Sequence, residues 1–455
     1  MIPISLIKLA KIIDGELIGS DIEICQIITD TRQNIEQALF IALIGKNFDA
    51  HDFVEQAINN NKIIAVIVSR ILVINIPQII VKNTSLALGK LAKWLRTQLT
   101  TKVIALTGSS GKTTVKEMLT AILKQCGNTL STIGNMNNHI GVPLTLLQLN
   151  KEYLYTVIEL GANHPGEIYY TVQLTNPEVV LINNITLSHL HGFGSILGVA
   201  KSKGEIFTGL VENGIAVINA DSHYLQYWRH LLGNKLVWRF SLTPKPESHF
   251  FATNILLNVT STQFTLNTPK GCIEVCLPLL GKHNIANALA AATLASAVDD
   301  ISLENIKRGL AQLKGLPGRS YPILLDRNKL LIDDSYNANV GSMKAAASIL
   351  SKMPGYRIMV VGDIAELGDD SVRYHQMIGF IVRLAEIDKV ISIGIMSKNI
   401  SDLNYDGEHF YDQSKLIQRL QVLMEKYPKV TILIKGSRRA RMENIVHSLQ
   451  EKYSC

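Results

Sequence analysis

Eight consecutive residues, Thr107-Gly108-Ser109-Ser110-Gly111-Lys112-Thr113-Thr114, have the types and spacing to hold a polyphosphate. Gly108 and Gly111 allow a tight turn in which successive backbone N–H groups face one point. Lys112 brings a positive charge to the outer phosphates, and the Thr113 hydroxyl is of the kind that holds Mg2+ there. Such a turn works between a strand and a helix N-terminus, whose dipole favours negative charge. Both neighbours are in the sequence. Val103–Leu106 is a short apolar run that predicts a buried strand, and Val115, Met118, Leu119, Ile122 and Leu123 recur at helical spacing. One position departs from the GxxxxGK[ST] pattern, whose first glycine would fall at Leu106. A chance Gly/Ser turn is the competing reading; a strand and a helix in register on either side count against it.

Other side chains suit the same chemistry. Glu159 closes the apolar strand predicted at Tyr155–Leu160. A carboxylate there holds Mg2+ directly or through water, and a charge ending an apolar strand is costly unless paired. Asn135, Asn137, Asn138 and His139 crowd a loop before Gly141-Val142-Pro143; such loops bind phosphate or sugar, and are also ordinary turn chemistry. His189 and His191, in SHLHGFGS, suit either a metal or a loop cap. Lys201 and Lys203, in VAKSKGEIF, lie on a predicted helix. They belong either to a solvated face or to a site where a neutral amine takes up CO2 as a carbamate, a long carboxylate able to hold metal. The spacing leaves both open. Asp30-Thr31-Arg32 follows a strand, where a loop binds an anion or a hydroxyl, or simply pairs Asp with Arg at the surface.

Three polar clusters follow three predicted strands near the C-terminus. Asp333-Asp334-Ser335-Tyr336-Asn337-Ala338-Asn339 follows Leu330–Ile332, Gly362-Asp363 follows Met359–Val361, and Lys435-Gly436-Ser437-Arg438 follows Thr431–Ile434. Polar groups converging on the C-terminal edge of a parallel sheet mark a binding site.

The elements that must position these groups fall into three parts. The chain has 455 residues, enough for two to four domains, and at 47% hydrophobic and 18% charged it can bury large cores. A small α/β domain is predicted over residues 1–83, with a helix at Leu6–Ile13, a strand at Glu23–Ile28, the apolar run Ala38–Leu43, a helix at Asp52–Asn60 and strands at Ile63–Val68 and Ile79–Val81. A central domain over 84–316 alternates helices with short β-rich strands, which predicts βα units and a mostly parallel sheet; alternation over Phe250–Thr268 and Cys272–Leu277 suggests an antiparallel extension. Gly315-Leu316-Pro317-Gly318-Arg319 breaks the pattern, and 317–455 reads as a doubly wound, Rossmann-like domain with parallel strands at Leu330–Ile332, Arg357–Val361, Lys389–Ile393 and Val430–Ile434.

Composition narrows the function classes. A net charge of +7 suits anionic ligands or a basic solvated surface, and there is no arginine-rich tract or nucleic-acid motif. Five scattered cysteines argue against a disulfide framework and for a reducing compartment; Cys272 and Cys276 lack two further ligands at zinc-finger spacing. The N-terminal stripe is interrupted by Lys8, Lys11 and Asp14, and the apolar stretch Ile63–Val81 by Arg70, Asn75 and Pro77, so neither a signal peptide nor a membrane span is expected. The expectation is a cytoplasmic monomer with no nucleic-acid partner.

Taken in order, these motifs resemble the Mur ligase family of ATP-dependent peptide ligases. TGSSGKTT (107–114) is close to that family's own phosphate loop, so Leu106 ceases to be an anomaly. GNMNNHIGVP (134–143), the Glu159 strand end, SHLHGFGS (188–195), VAKSKGEIF (199–207) and GKHNIANALAA (281–291) are similar to its central domain. GLPGR (315–319), DDSYNAN (333–339), GDIAELG (362–368) and KGSRRARME (435–443) are similar to its C-terminal domain. In residues 1–83 the match is partial, with Ala50 where Gly is expected and a Gly-Asp pair before Leu39-Phe40 missing; in the third domain Val340 replaces a proline often found after YNAN.

Within the family, the motifs are most similar to the branch that joins D-alanyl-D-alanine to UDP-N-acetylmuramoyl-tripeptide. The resemblance implies ATP and two Mg2+ ions. It implies that Thr107–Thr114 cradle phosphates, that Thr113 and Glu159 hold one ion, and that His189 and a carbamylated lysine hold the second. It places the carbamate on Lys203, with Lys201 as the alternative. It sets Asn284 and Asn287 against adenine and brings Arg319 and Asp334 to the nucleotide on domain closure. The sugar-peptide and dipeptide contacts expected are Thr31, Arg32, Asn135, Asn138, Asn337, Asn339, Lys435 and Arg438. The alternatives are a family member or folylpolyglutamate-type ligase that adds a single amino acid, and a nucleotide-dependent switch or transport ATPase without ligase activity.

Overall fold

The structure is a computed structural model and describes residues 2–33, 35–45, 47–60, 62–187, 190–313 and 315–453. His189 therefore lies outside the described residues.

Three sheets organise the chain. The first has the order Glu16–Ile18, Gln78–Ile80, Ile63–Val68, Ala38–Ile41, Ile27–Ile28, parallel except for the Glu16–Ile18 edge. The expected single strand over Glu23–Ile28 is split. Glu23–Ile24 pairs with Ile4–Ser5 in a small separate sheet, and Ile27–Ile28 joins the larger one. The reason is visible in packing: Ile24 and Ile28 are both buried, but in two different apolar clusters, so the chain turns between them through exposed Cys25 and Gln26.

The second sheet has nine strands. Its centre is the phosphate-loop strand Lys102–Thr107, between Val179–Ile182 and Tyr155–Glu159, all parallel. The sheet continues through Thr129–Ser131 on one side and Ile215–Asn219 and Leu236–Ser241 on the other. The antiparallel extension is formed by Phe250–Leu257, Thr262–Thr268 and Gly271–Leu277. Thr84–Thr97 and Lys282–Val298 pack on opposite faces of this sheet. Val103, Ile104, Ala105 and Leu106 are fully buried, as strands covered on both faces require. Burying each of the larger ones contributes about 1.5–3 kcal/mol.

The third sheet has six strands in the order Tyr321–Asp326, Lys329–Asp334, Val430–Lys435, Tyr356–Gly362, Lys389–Ile393, Gly407–Phe410. The four expected strands are parallel, and an antiparallel edge and a sixth parallel strand are added. Val340–Leu350 and Ser371–Leu384 cover one face, and Gln413–Lys426 and Glu443–Tyr453 the other. The architecture is three α/β domains. No helix among the described residues is long and apolar enough to cross a membrane.

Candidate active site

A cleft of about 850 Å3 lies between the C-terminal edges of the second and third sheets. The loops that leave Lys102–Thr107, Tyr155–Glu159, Val179–Ile182, Lys329–Asp334 and Val430–Lys435 open onto this space. Gly362-Asp363, expected to join them, does not line it: Asp363 accepts instead from the N–H groups of Ile395, Met396 and Ser397.

The phosphate loop leaves its strand at Thr107, whose hydroxyl donates to the Leu160 carbonyl at 2.8 Å. Gly111 then adopts φ +73°, and a Cβ at that position would sit 2.5 Å from Asn287 Oδ1; only glycine fits. The helix Lys112–Leu123 starts directly after it. Lys112 Nζ donates to the Gly108 carbonyl at 2.9 Å, folding back over the loop. Burial pulls the Lys112 ammonium below its ordinary value; Glu159 opposes that shift and Arg319 adds to it.

Glu159 is 2% exposed at the end of the neighbouring strand. Its Oε2 accepts from the Thr113 hydroxyl at 2.9 Å and its Oε1 from Asn137 Nδ2 at 2.7 Å. Its own N–H donates to the Thr132 hydroxyl at 3.0 Å. The carboxylate is thus fixed beside Thr113 by neutral hydrogen-bond partners alone. A buried anion held this way, with a hydroxyl oxygen next to it, is a hard-oxygen donor set that fits Mg2+.

The third domain reaches the same atoms. Arg319 Nη2 donates to Thr113 Oγ1 at 2.9 Å while its guanidinium lies 4.3 Å from the Tyr336 ring centre. Lys435 Nζ pairs with Asp334 Oδ2 at 2.7 Å and donates to the Asn337 carbonyl at 2.9 Å. Asp334 Oδ1 accepts from Ser320 N and Asp333 Oδ2 from Gly318 N, tying the GLPGR segment to the DDSYNAN loop. Asn339 caps the helix Val340–Leu350 and also points Nδ2 at the Ser109 carbonyl, 3.4 Å away.

The two candidate lysines are separated by geometry. They sit two residues apart on the helix Ile196–Gly204, hence on opposite faces. Lys201 is exposed; Lys203 is 1% exposed, with Nζ 5.4 Å from the Phe193 ring centre. Burial, then Lys112, bring its amine down to about 7, against the opposing pull of Glu167, Glu205 and Glu159. An amine so placed is substantially neutral at neutral pH, as carbamate formation requires.

The cleft therefore gathers Ser109–Thr114, Asn135, Asn138, Glu159, Asn284, Asn287, Arg319, Asp334, Asn337, Asn339 and Lys435. Six expected residues do not line it: Thr107, Gly108, Lys203, Thr31, Arg32 and Arg438. Arg32 is exposed and forks onto Asp30, the Thr31 carbonyl accepts from Lys62, and Arg438 pairs with Glu443. Asn138 Oδ1 accepts from Ile140 N and Gly141 N, so Asn137 is the amide of that loop aimed at Glu159. Asn284 and Asn287 are buried and bonded to each other, Nδ2 of Asn287 to Oδ1 of Asn284 at 3.0 Å. Sequence reasoning left Asn183 and Asn184 without a role. They follow the Val179–Ile182 strand at the same edge as Glu159, and that position was the signal available.

Comparison with known proteins agrees with this architecture. The pattern of the Mur ligase middle domain matches residues 106–295, and that of the Mur ligase glutamate ligase domain matches 322–438. The chain is 55% identical to the UDP-N-acetylmuramoyl-tripeptide–D-alanyl-D-alanine ligase of Escherichia coli K12 over 455 residues, covering all of both chains. Among solved structures, MurF from Acinetobacter baumannii superposes with a TM-score of 0.93 at 38% identity, covering 99% of each chain. MurF from Thermotoga maritima, solved in complex with ADP, superposes with a TM-score of 0.83 at 26% identity, covering 94% of this chain and 98% of that one. The chain belongs to the Mur ligase family.

Proposed function

We propose that the chain is an ATP-dependent ligase that joins the tripeptide carboxylate of UDP-N-acetylmuramoyl-tripeptide to the amine of D-alanyl-D-alanine. The products are UDP-N-acetylmuramoyl-pentapeptide, ADP and phosphate, and the step belongs to cytoplasmic peptidoglycan synthesis. The activity named for full-length relatives supports this. The observation that carries it is the Arg319–Thr113 contact, which puts the third domain's polar strand ends and the phosphate loop in one cleft. A nucleotide switch needs only the loop; a ligase must hold nucleotide, acid and amine together.

We assign residues 1–83 to the UDP end of the sugar-peptide, 84–316 to ATP, and 317–455 to closure over both, in a chain that works as a monomer. The tripeptide carboxylate oxygen attacks the γ-phosphorus of ATP, ADP leaves, and an acyl phosphate forms. Lys112 and the N–H groups at the start of its helix face the charge of transfer. Thr113 and Glu159 would hold Mg2+, which when bound would neutralise phosphate charge. His189 and a carbamylated Lys203 are the ligands we assign to a second ion. Asn284 and Asn287 face adenine, and Arg319 and Asp334 complete the nucleotide site. The amine of D-alanyl-D-alanine then attacks the acyl carbon, loses a proton, and phosphate departs from the tetrahedral intermediate. Closure of the third domain keeps water from the acyl phosphate.

The test is substrate dependence. With ATP, Mg2+ and UDP-N-acetylmuramoyl-tripeptide, phosphate release should require D-alanyl-D-alanine. Release with a single amino acid in its place would assign the chain to another branch of the family, and turnover indifferent to both substrates would make it a simple ATPase.

A further inference from the structure

Asn184 lies just beyond the end of the Val179–Ile182 strand, and its side chain grips one residue of the phosphate loop, Ser110, by both its N–H and its carbonyl. Oδ1 accepts from Ser110 N at 2.9 Å and from the Ser110 hydroxyl at 3.1 Å. Nδ2 donates to the Ser110 carbonyl at 3.0 Å. The Asn184 main-chain carbonyl also accepts from Ser109 N at 3.0 Å. Two loop N–H groups, those of Ser109 and Ser110, are thus bonded inside the protein.

The neighbouring amide extends this grip. Asn183 is 2% exposed, and its Nδ2 donates to the same Ser110 carbonyl at 3.0 Å and to Asn287 Oδ1 at 2.9 Å. Asn287 in turn donates to Asn284. A continuous row of carboxamides runs from Asn284 to the phosphate loop. None of these groups ionises, so the row fixes geometry without adding charge beside the phosphates.

We propose that Asn184 is a positioning residue for the nucleotide phosphates. Its carboxamide fixes the two peptide groups that flank Ser110, which turns the following N–H groups, from Gly111 through Thr114, toward the phosphate position. Phosphate binding then rests on those donors and on Lys112, while the Ser109 and Ser110 N–H groups serve to hold the loop. A loop without Asn184 has to order itself each time a nucleotide binds, and that ordering is subtracted from affinity. This inference rests on the assignment of ATP to the cleft.

The experiment is calorimetric titration of ADP with Mg2+, and separately of adenosine, into the full chain and into Asn184→Ala. Wild-type protein should bind ADP; failure to do so would sink the nucleotide assignment itself. In Asn184→Ala, ADP affinity should fall about tenfold or more, the scale of one or two lost hydrogen bonds. Adenosine affinity should stay within about twofold of wild type, because the effect is on the phosphates. The KM for ATP should rise while that for D-alanyl-D-alanine does not. Unchanged ADP affinity overturns the proposal, as does an equal fall for adenosine, which would mean general damage. If Asn184→Ala does not fold, Asn184→Leu has nearly the same size, adds no charge, and can neither accept from Ser110 N nor donate to the Ser110 carbonyl. It should show the same loss for ADP and none for adenosine, and wild-type ADP affinity in it overturns the proposal equally.

Discussion

Glu159 and Lys112 bring opposite charges into one buried space, and each is tied to the phosphate loop by a side-chain hydrogen bond. Glu159→Gln keeps the shape and removes the charge; Lys112→Ala removes the cation over the loop. Each should slow phosphate release by ~10²–10³ or more while leaving the thermal midpoint nearly unchanged, because each acts on charge that develops during transfer. Near-normal rates in either variant would remove that residue from the mechanism. Lys203 makes a second prediction. Its amine is buried and lowered to about 7, the setting carbamate formation requires, whereas Lys201 is exposed. Ligation should fall in CO2-depleted buffer and return with bicarbonate, Lys203→Ala should be inactive in both, and Lys201→Ala should behave as wild type. The reverse pattern would move the carbamate to Lys201. The spacing alone names both lysines without choosing, since burial is decided by the partner surface of the helix; only the family resemblance prefers Lys203. Asn184 was less legible still, because asparagine after a strand is everyday turn chemistry.

At the scale of elements, the third sheet is tied at its outer edge by a charged network. Glu408, on Gly407–Phe410, accepts from Arg419 Nε at 2.8 Å and Nη2 at 2.7 Å, and pairs with the buried Lys389 at 2.6 Å. The Arg419 fork, helped by Lys389, holds the Glu408 carboxyl down at about 2, below its ordinary 4.5. A lowered carboxylate stabilises the fold above its unfolded value, and that contribution is lost as pH falls from about 4.5 toward 2. Glu408→Gln should therefore cost about 1.5–3 kcal/mol at neutral pH, the range for hydrogen bonds to a charged group. The difference from wild type, followed by denaturant unfolding, should shrink steadily below pH ~4.5; a difference independent of pH would mean that packing, not charge, is what Glu408 supplies. This strand was invisible in the sequence, since GEHF is short, polar and half-exposed. Leu236–Ser241 escaped for a related reason: LVWRFS lacks clean alternation, and Val237, Trp238 and Arg239 are only partly buried. The phosphate-loop strand and helix were legible because both faces of one and one face of the other are committed to cores, which writes a period into the chain.

Across the whole molecule, the cleft belongs to no single domain. The phosphate loop and Glu159 come from the second sheet, Arg319, Asp334 and Lys435 from the segment around the third. That division suits a reaction whose intermediate must be shielded from water. It also explains why the motifs read singly as a nucleotide site and together as a ligase. Thr31 and Arg32 are not among the residues that line this cleft. The most direct test of the account labels the tripeptide carboxylate with 18O and follows the label by mass spectrometry after one round of reaction with ATP and D-alanyl-D-alanine. The account predicts UDP-N-acetylmuramoyl-pentapeptide together with inorganic phosphate carrying one 18O, taken from the carboxylate through the acyl phosphate. Phosphate free of label, or labelled tripeptide recovered intact while ATP is consumed, would contradict it.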